Sequence, residues 1–366
     1  MRGILSTPNC GRTAGSACLQ GQRGRTKNTN ILGVSHQPGV ISWAVSWVNQ
    51  PHGRTASAEA DCSFDREHKT NMQFQEFFSL LLFLVLAIPA AIFAKFRTIF
   101  PLKCSQRTVL ALPYSPFCEK VFWAYDRCKM PYTVRTVFQG FFPTTLMEFK
   151  AKSVPVVIQP DGDVIKDSKE VLDSLYNEGH SWLYLSPAVL DIERSFGDDF
   201  GRAVARIVYH HLFSTKEGGM LLRRVWKVGV SPLERMLTEP LYPAIRWAML
   251  SGLNLPQGLP GFTRTVDRVL DQVSSLLQDG RKYICATDDL TAADITFASL
   301  AYPLILPEEK ASVFVSWDDD LPKDFRSEVQ RLRGTLAGKF VLRIYKEERN
   351  LWMSIIPQAF TTQLWL

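Results

Sequence analysis

One stretch in the middle of the chain has an order of apolar runs and turns that few folds accommodate. Residues 108–114 (TVLALPY) are typical of a short buried strand, and residues 132–138 predict a second one. The runs VPVVIQ at 154–159 and DVIK at 163–166 flank the turn PDG, a pattern that predicts a β-hairpin. The predicted order is therefore strand, helix, strand and hairpin, followed by a second helix.

The predicted helix between the first two strands has a clear starting signal. Ser115 stands directly before Pro116, as expected for an N-cap residue followed by proline at the first helical position. From Pro116 to Lys129, apolar residues recur at helical spacing, and the charged residues fall elsewhere. The apolar positions are Phe117, Val121, Ala124, Tyr125 and Cys128.

This order of elements is that of the thioredoxin-like fold, and three motifs within it are more specific. They read YSPFCEKV at 114–121, SVPVVI at 153–158 and KDSKEVL at 166–172. In this order and at this spacing they resemble the N-terminal domain of glutathione S-transferases. The resemblance implies an α/β thioredoxin-like N-terminal domain followed by an all-α helical-bundle domain. It also implies an enzyme that conjugates glutathione to an apolar electrophile, or reduces the electrophile with it.

The resemblance assigns the catalytic role to Ser115, the position used by serine-type members. A helix N-terminus favours a thiolate over a thiol, and a hydroxyl there donates a hydrogen bond to the glutathione sulfur. Tyr114 is a competing hydroxyl, because other classes of the family use a tyrosine at the end of the strand. In glutaredoxin-like and omega-like relatives the nucleophilic cysteine is the first residue of a C-x-x-C turn, and here that residue is Ser115. Cys118 occupies the second, normally resolving, position, and we expect it to be a buried, inert thiol.

The other motifs supply the remaining contacts that the resemblance implies. Val154-Pro155 matches the family's cis-proline turn, whose exposed backbone pairs with glutathione like a short strand. Asp167 and Ser168 would hold the γ-glutamyl end, although the family usually has the longer Glu or Gln at the first position. The predicted glutathione-binding residues are Ser115, Phe117, Lys152, Val154, Pro155, Asp167 and Ser168.

The spacing of apolar residues in the C-terminal half predicts helices throughout. One stripe comprises Phe196, Phe200, Ala203 and Ile207, and a stronger one runs from Phe262 to Leu277. A Pro/Gly-rich stretch at 254–261 is expected to separate them. Thr291 and Asp294 predict a capping box at the start of LTAADITFASLAYPL, which resembles the central helix of the family's second domain. The sequence leaves open which of Tyr209, Phe213, Trp226 and Trp247 line the electrophile pocket.

A long extension precedes this module. Residues 1–58 carry six basic and no acidic residues, and from Glu59 onward the chain holds 36 of each and is neutral. The basic charge therefore does not indicate nucleic-acid binding by the folded part. Such a composition is typical of a disordered segment or of a cleavable targeting segment. It is equally typical of non-coding sequence that has been included in a gene by mistake.

Residues 77–93 (FFSLLLFLVLAIPAAIF) form an uncharged run with Glu76 before it and four basic residues soon after it. At about 17 residues it is just long enough to cross a bilayer, and a membrane anchor is the favoured interpretation. The basic flank predicts that the following domain faces the cytosol. A signal peptide starting at Met72, which would send the domain to an organelle or the secretory pathway, and a buried helix are the alternatives.

The predicted organisation has five parts: an extension at 1–71, an anchor and linker at 72–106, a thioredoxin-like domain at 107–180, a helical domain at 187–350 and an apolar tail at 351–366. Seven scattered cysteines without a C-x-x-C pair predict neither a disulfide framework nor a zinc site. His210 and His211 are adjacent on a helix and cannot share a metal, so no metal is expected.

Two functions remain open at this stage. The leading one is a glutathione transferase acting on a hydrophobic electrophile, which is compatible with a homodimer. The alternative is a non-catalytic, membrane-anchored adaptor with the same fold, of the metaxin or failed-axon-connections type. The three glutathione-site motifs favour the enzyme, and the apolar segment favours the adaptor.

Overall fold

Four strands form a mixed sheet in the N-terminal half of the folded region. The computed structural model describes residues 106–253 and 255–349, and its strands are β1 (Arg107–Ala111), β2 (Tyr132–Thr136), β3 (Val156–Ile158) and β4 (Val164–Ile165). Their order in the sheet is β2-β1-β3-β4. Strand β1 pairs parallel with β2 and antiparallel with β3, which pairs antiparallel with β4. The predicted order of strands is confirmed.

Three helices accompany this sheet: α1 (Pro116–Arg127), α2 (Phe142–Met147) and α3 (Ser168–Asn177). The strands are shorter than their apolar runs, because β1 ends where the backbone turns and the Ser115 N–H donates to the Leu112 carbonyl at 2.9 Å. Ser115 is the N-cap of α1 and Pro116 is its first residue, as predicted. Asp167 is the N-cap of α3.

The C-terminal half is helical in its described part. Its helices are α4 (Pro187–Phe213), α5 (Lys216–Trp226), α6 (Pro232–Gly252), α7 (Leu255–Leu276), α8 (Ala292–Ile305), α9 (Lys323–Arg333) and α10 (Leu336–Ile344). Helix α8 is buried along its whole length, which is why it has no polar face. The predicted capping box is present at its start, where the Thr291 N–H donates to the Asp294 carboxylate at 2.9 Å. A sheet followed by a helical bundle fits the fold class predicted from the sequence.

The expected break at 254–261 is wrong, since residues from Leu255 onward already belong to α7. Pro256 lies in the first turn, where the missing N–H has no partner within the helix. Gly258 lies against the ring of Phe262, and a Cβ at this position would come within 2.5 Å of that ring. Gly258 thus lets the Phe262 ring of the same helix lie close to the backbone, and the Pro/Gly-rich stretch forms a helix and not a turn.

Helix α1 departs from its predicted amphipathic pattern, because its charged residues are buried as well. Glu119 is fully buried, Lys120 is 4% exposed and Asp126 is 8% exposed. The helix packs between the sheet domain and helix α8, and the ring of Phe117 lies against Gly201 of α4. Both faces of α1 are thus enclosed by protein.

Buried charges on α1 are stable only when they are paired. Lys310 donates to one oxygen of Glu119 at 2.7 Å, and Arg349 donates to the other at 2.9 Å. Arg349 also contacts Asp126 at 2.5 Å, and Lys120 binds Glu193 of α4 at 2.6 Å. Burial raises the pKa of Glu119, but attraction to Arg349 and Lys310 more than offsets this, and the carboxylate is held ionised.

Several predictions concern residues that the structure does not describe. The extension at 1–71, the anchor segment 77–93 and the tail at 351–366 lie outside the described residues, and the domain boundaries stay a prediction. Within the described ranges, no helix is both long enough and apolar enough to cross a bilayer.

The paired charges predict a large effect on stability. Glu119→Gln should lower the free energy of unfolding by about 3–5 kcal/mol, because it leaves the buried Lys310 without its carboxylate and Arg349 with Asp126 alone. Urea denaturation of the full chain measures the change. Asp288→Asn, at an exposed carboxylate, is the matched control and should change stability by less than about 0.5 kcal/mol. Equal stabilities of the two variants would contradict this account of Glu119.

Candidate active site

Ser115 lies at the N-terminus of α1 with its hydroxyl not used for helix capping. Its N–H donates to the Leu112 carbonyl and its own carbonyl accepts from the Glu119 N–H at 3.0 Å. The side chain makes no capping hydrogen bond and contacts the thiol of Cys118 instead. The hydroxyl therefore stands at the positive end of a helix without being required by the helix.

Tyr114 has a hydroxyl that is already engaged. It donates to Gln139 Oε1 at 3.0 Å, and the side chain is 6% exposed. Burial, followed by the nearby Tyr209, raises the pKa of Tyr114 well above its usual value. Of the two hydroxyls considered from the sequence, that of Ser115 is the one at the N-terminus of α1.

Cys118 is a fully buried thiol, as the sequence predicts. Burial raises its pKa to about 12, and the hydrogen bond with Ser115 offsets only part of that effect. The thiol thus stays protonated at neutral pH and is a poor nucleophile.

The strand register brings the three predicted motifs to one end of the sheet. Strand β1 runs towards Ser115, and its residue Leu110 is paired with Val156 at the start of β3. Pro155 precedes that start, so it lies at the same end as Ser115. Strand β4 runs antiparallel to β3 and leads back to this end, where Asp167 follows. Helices α1 and α3 therefore both begin here, with their unpaired N–H groups.

The peptide bond between Val154 and Pro155 is cis, as the motif predicts. Both residues are buried and directly precede β3. Among the described residues, the main chain of Val154 has no hydrogen-bond partner within the protein.

At the start of α3, the carboxylate of Asp167 accepts a hydrogen bond from the Lys169 N–H at 2.7 Å. One of its oxygens is thus used as a helix cap. Ser168 is the first residue of α3 and is 5% exposed. The pair forms a small polar site at a helix N-terminus, which suits a carboxylate.

Phe117 and Lys152, which were also predicted to bind glutathione, lie in different surroundings. The ring of Phe117 lies against Gly201 in the helical half, so its side chain takes part in the contact between the two halves. Lys152 is exposed and forms no ion pair with any described residue.

The structure also separates the four aromatic residues considered for the electrophile pocket. Phe213 and Trp226 are buried in the helical core, and Trp247 is 50% exposed on α6. Tyr209 is half-buried on α4 and close enough to Tyr114 to influence its pKa. Of these four aromatic residues, Tyr209 is the one that influences the pKa of Tyr114, the neighbour of Ser115.

Sequence reasoning missed one contact at this site, which involves Tyr302 of α8. Its hydroxyl donates to the carbonyl of Tyr114 at 2.5 Å across 188 positions of the chain. Nothing in the local sequence indicates a pairing over that distance. No group of three His, Cys, Asp or Glu side chains within the described ranges is placed to hold a metal.

The fold and the site define a class: a thioredoxin-like domain with a cis-proline turn, followed by a helical domain. Residues 114–178 match the family model described as glutathione S-transferase, N-terminal domain. This segment is therefore similar to the N-terminal domain of glutathione S-transferases, and the resemblance seen in its motifs is confirmed. No curated protein matches the chain.

Solved structures similar to this chain include two fungal glutathione S-transferases. The enzyme from Ceriporiopsis subvermispora in complex with glutathione is 15% identical with a TM-score of 0.45, over 69% of this chain and 99% of its own. Glutathione transferase GSTFuA2 from Phanerochaete chrysosporium is 16% identical with a TM-score of 0.44, over 67% and 98%. A glutathione S-transferase from Methylobacterium radiotolerans, in complex with glutathione sulfonate, is 15% identical with a TM-score of 0.37, over 65% and 94%.

The raised thiol pKa values predict an order of reactivity. Cys118 is fully buried with a pKa of about 12, while Cys128 is half-buried with a pKa of about 11. In the native chain at pH 8, iodoacetamide should modify Cys128 slowly and Cys118 more slowly still. In urea both should react at similar rates. Peptide mass spectrometry measures each site, and native labelling of Cys118 at its urea rate would contradict its assignment as an inert thiol.

Proposed function

We propose that this protein binds glutathione and activates its thiol for attack on an apolar electrophile. The observation that carries the proposal is the hydroxyl of Ser115. It lies at the start of α1, makes no capping bond, and shares one end of the sheet with Val154-Pro155 and Asp167-Ser168. These are the features that thiol activation at a helix N-terminus requires.

In the proposed reaction, the glutathione sulfur displaces a leaving group from an electrophilic carbon. The glutathione thiol releases its proton to solvent, and the hydroxyl of Ser115 donates a hydrogen bond to the resulting thiolate. The sulfur lone pair then forms a bond to the electrophilic carbon, and the leaving group departs with its bonding electrons. Donation to the thiolate lowers the pKa of the bound thiol, because it stabilises the charged form.

The rest of the peptide has matching groups at the same end of the sheet. The N–H and C=O of Val154, which make no hydrogen bond to a described residue, pair with the backbone of the cysteinyl residue of glutathione. The N-terminus of α3 with Ser168 takes the γ-glutamyl carboxylate, and the remaining oxygen of Asp167 takes the ammonium. Lys152 meets the glycyl carboxylate. The apolar electrophile approaches from the helical half, beside Tyr209.

Removal of the Ser115 hydroxyl tests this function. Ser115→Ala should lower turnover about 10- to 100-fold, because one hydrogen bond to a charged group is lost, which is worth about 1.5–3 kcal/mol. Affinity for glutathione should change little. Turnover of 1-chloro-2,4-dinitrobenzene and calorimetric titration with glutathione measure the two effects. Ser312→Ala, at an exposed serine, is the control and should behave as wild type.

Two outcomes would reject the enzymatic proposal. One is a wild-type chain that does not bind glutathione, which would leave the adaptor function as the better account. The other is a wild-type chain that binds glutathione but whose turnover is unaffected by Ser115→Ala.

We also propose that residues 77–93 anchor this domain to a membrane, with the domain on the cytosolic side. The uncharged run and the basic residues Lys95, Arg97, Lys103 and Arg107 that follow it support this arrangement. Unpaired cysteines in the domain suit a reducing compartment.

The anchor is tested with one charge at its centre. Leu84→Arg should release the protein from the membrane fraction, because an arginine at the middle of a span costs about 2.5–3.5 kcal/mol. Ile99→Arg, outside the run, is the matched control and should remain bound. Alkaline extraction of isolated membranes separates the two. A product beginning near Lys95 in the wild type would show instead that the segment is a cleaved signal.

A further inference from the structure

Helix α8 reaches the candidate active site through the hydroxyl of Tyr302. Tyr302 is fully buried, and its O–H donates to the carbonyl of Tyr114 at 2.5 Å. That carbonyl belongs to the peptide group that joins Tyr114 to Ser115. It lies outside α1, whose hydrogen bonds begin with the carbonyl of Ser115.

This peptide group is held at both of its polar atoms. Its N–H, which belongs to Ser115, donates to the Leu112 carbonyl at 2.9 Å, and its C=O accepts from Tyr302. A peptide group is planar, so fixing both atoms fixes its rotation about the chain. The direction in which the Cα–Cβ bond of Ser115 leaves the chain depends on that rotation.

Tyr302 is itself fixed in place by its neighbours. Its ring makes an edge contact with Phe314 at 5.6 Å and a tilted contact with Tyr345 at 6.2 Å, and Lys310 Nζ lies 5.4 Å from its centre. Burial raises the pKa of Tyr302 well above its usual value. The phenol thus stays protonated at neutral pH and remains a hydrogen-bond donor.

We propose that Tyr302 is a positioning residue that aims the hydroxyl of Ser115 at the glutathione sulfur. The proposal rests on the function proposed above and deepens it. The helical half thereby contributes to thiol activation as well as to the electrophile pocket. Without the Tyr302 hydroxyl, the peptide between Tyr114 and Ser115 rotates more freely, and Ser115 donates less well to the thiolate.

Tyr302→Phe in the full chain tests the proposal, with Tyr283→Phe as the matched control. Tyr283 also donates through its hydroxyl, to Glu348 at 2.5 Å, and Glu348 pairs with Arg127 at the C-terminal end of α1, opposite to Ser115. Tyr302→Phe should lower kcat/KM for 1-chloro-2,4-dinitrobenzene about two- to tenfold. The apparent pKa of the pH–rate profile should rise towards that of free glutathione. Tyr283→Phe should change neither.

A second measurement does not depend on turnover. Hydrogen exchange of the peptide that contains Ser115 should be faster in Tyr302→Phe than in wild type or Tyr283→Phe. The Kd for glutathione should stay within about twofold, because the hydroxyl of Tyr302 contacts the protein and not the ligand.

Different results would overturn the positioning role of Tyr302 and the proposed activation of glutathione. An unchanged pH–rate profile and unchanged exchange at Ser115, even with a lower Tm, would overturn the positioning role and leave Tyr302 as a purely structural contact. A wild-type chain that neither binds glutathione nor turns over would reject the proposed function. In that case faster exchange in Tyr302→Phe would still show that Tyr302 orders the Ser115 segment, and unchanged exchange would reject that as well.

Discussion

The ion pairs of Glu119 hold the sheet domain against the helical half. A carboxylate with no exposed surface is costly to bury, and Lys310 and Arg349 compensate that cost with a contact to each oxygen. Because α1 also begins at Ser115, the position of the candidate catalytic hydroxyl depends on cations that lie beyond α8 in the chain. The candidate site and the contact between the two halves therefore share one helix.

The parts of this molecule that the sequence predicts well are those decided by residues close together in the chain. The N-cap at Ser115 followed by Pro116, the turn at Val154-Pro155 and the capping box at Thr291 and Asp294 each depend on a few neighbouring residues. Their order and spacing were enough to indicate both the fold and the end of the sheet where the candidate site lies.

Features decided by distant residues could not be predicted in this way. The charged residues of α1 fall outside its apolar stripe, and the local sequence does not indicate that they are buried. The partners of Glu119, which are Lys310 and Arg349, follow it by 191 and 230 positions. Helix α6 contains Pro240 and Pro243, which locally disfavour a helix, and packing overrides that preference. The contact of Tyr302 with Tyr114 is similarly remote, and it is the part of the candidate site that only the structure reveals.

The pairing of Glu119 with Arg349 also has a consequence for synthesis of the chain. Arg349 leaves the ribosome 230 positions after Glu119, a delay of roughly 10–50 s at ordinary rates of elongation. During that interval Glu119 has no Arg349 to neutralise it, and α1 cannot settle fully against the rest of the protein. The sheet domain, made before the helical half, must thus wait for Arg349 before the charges of α1 are fully paired.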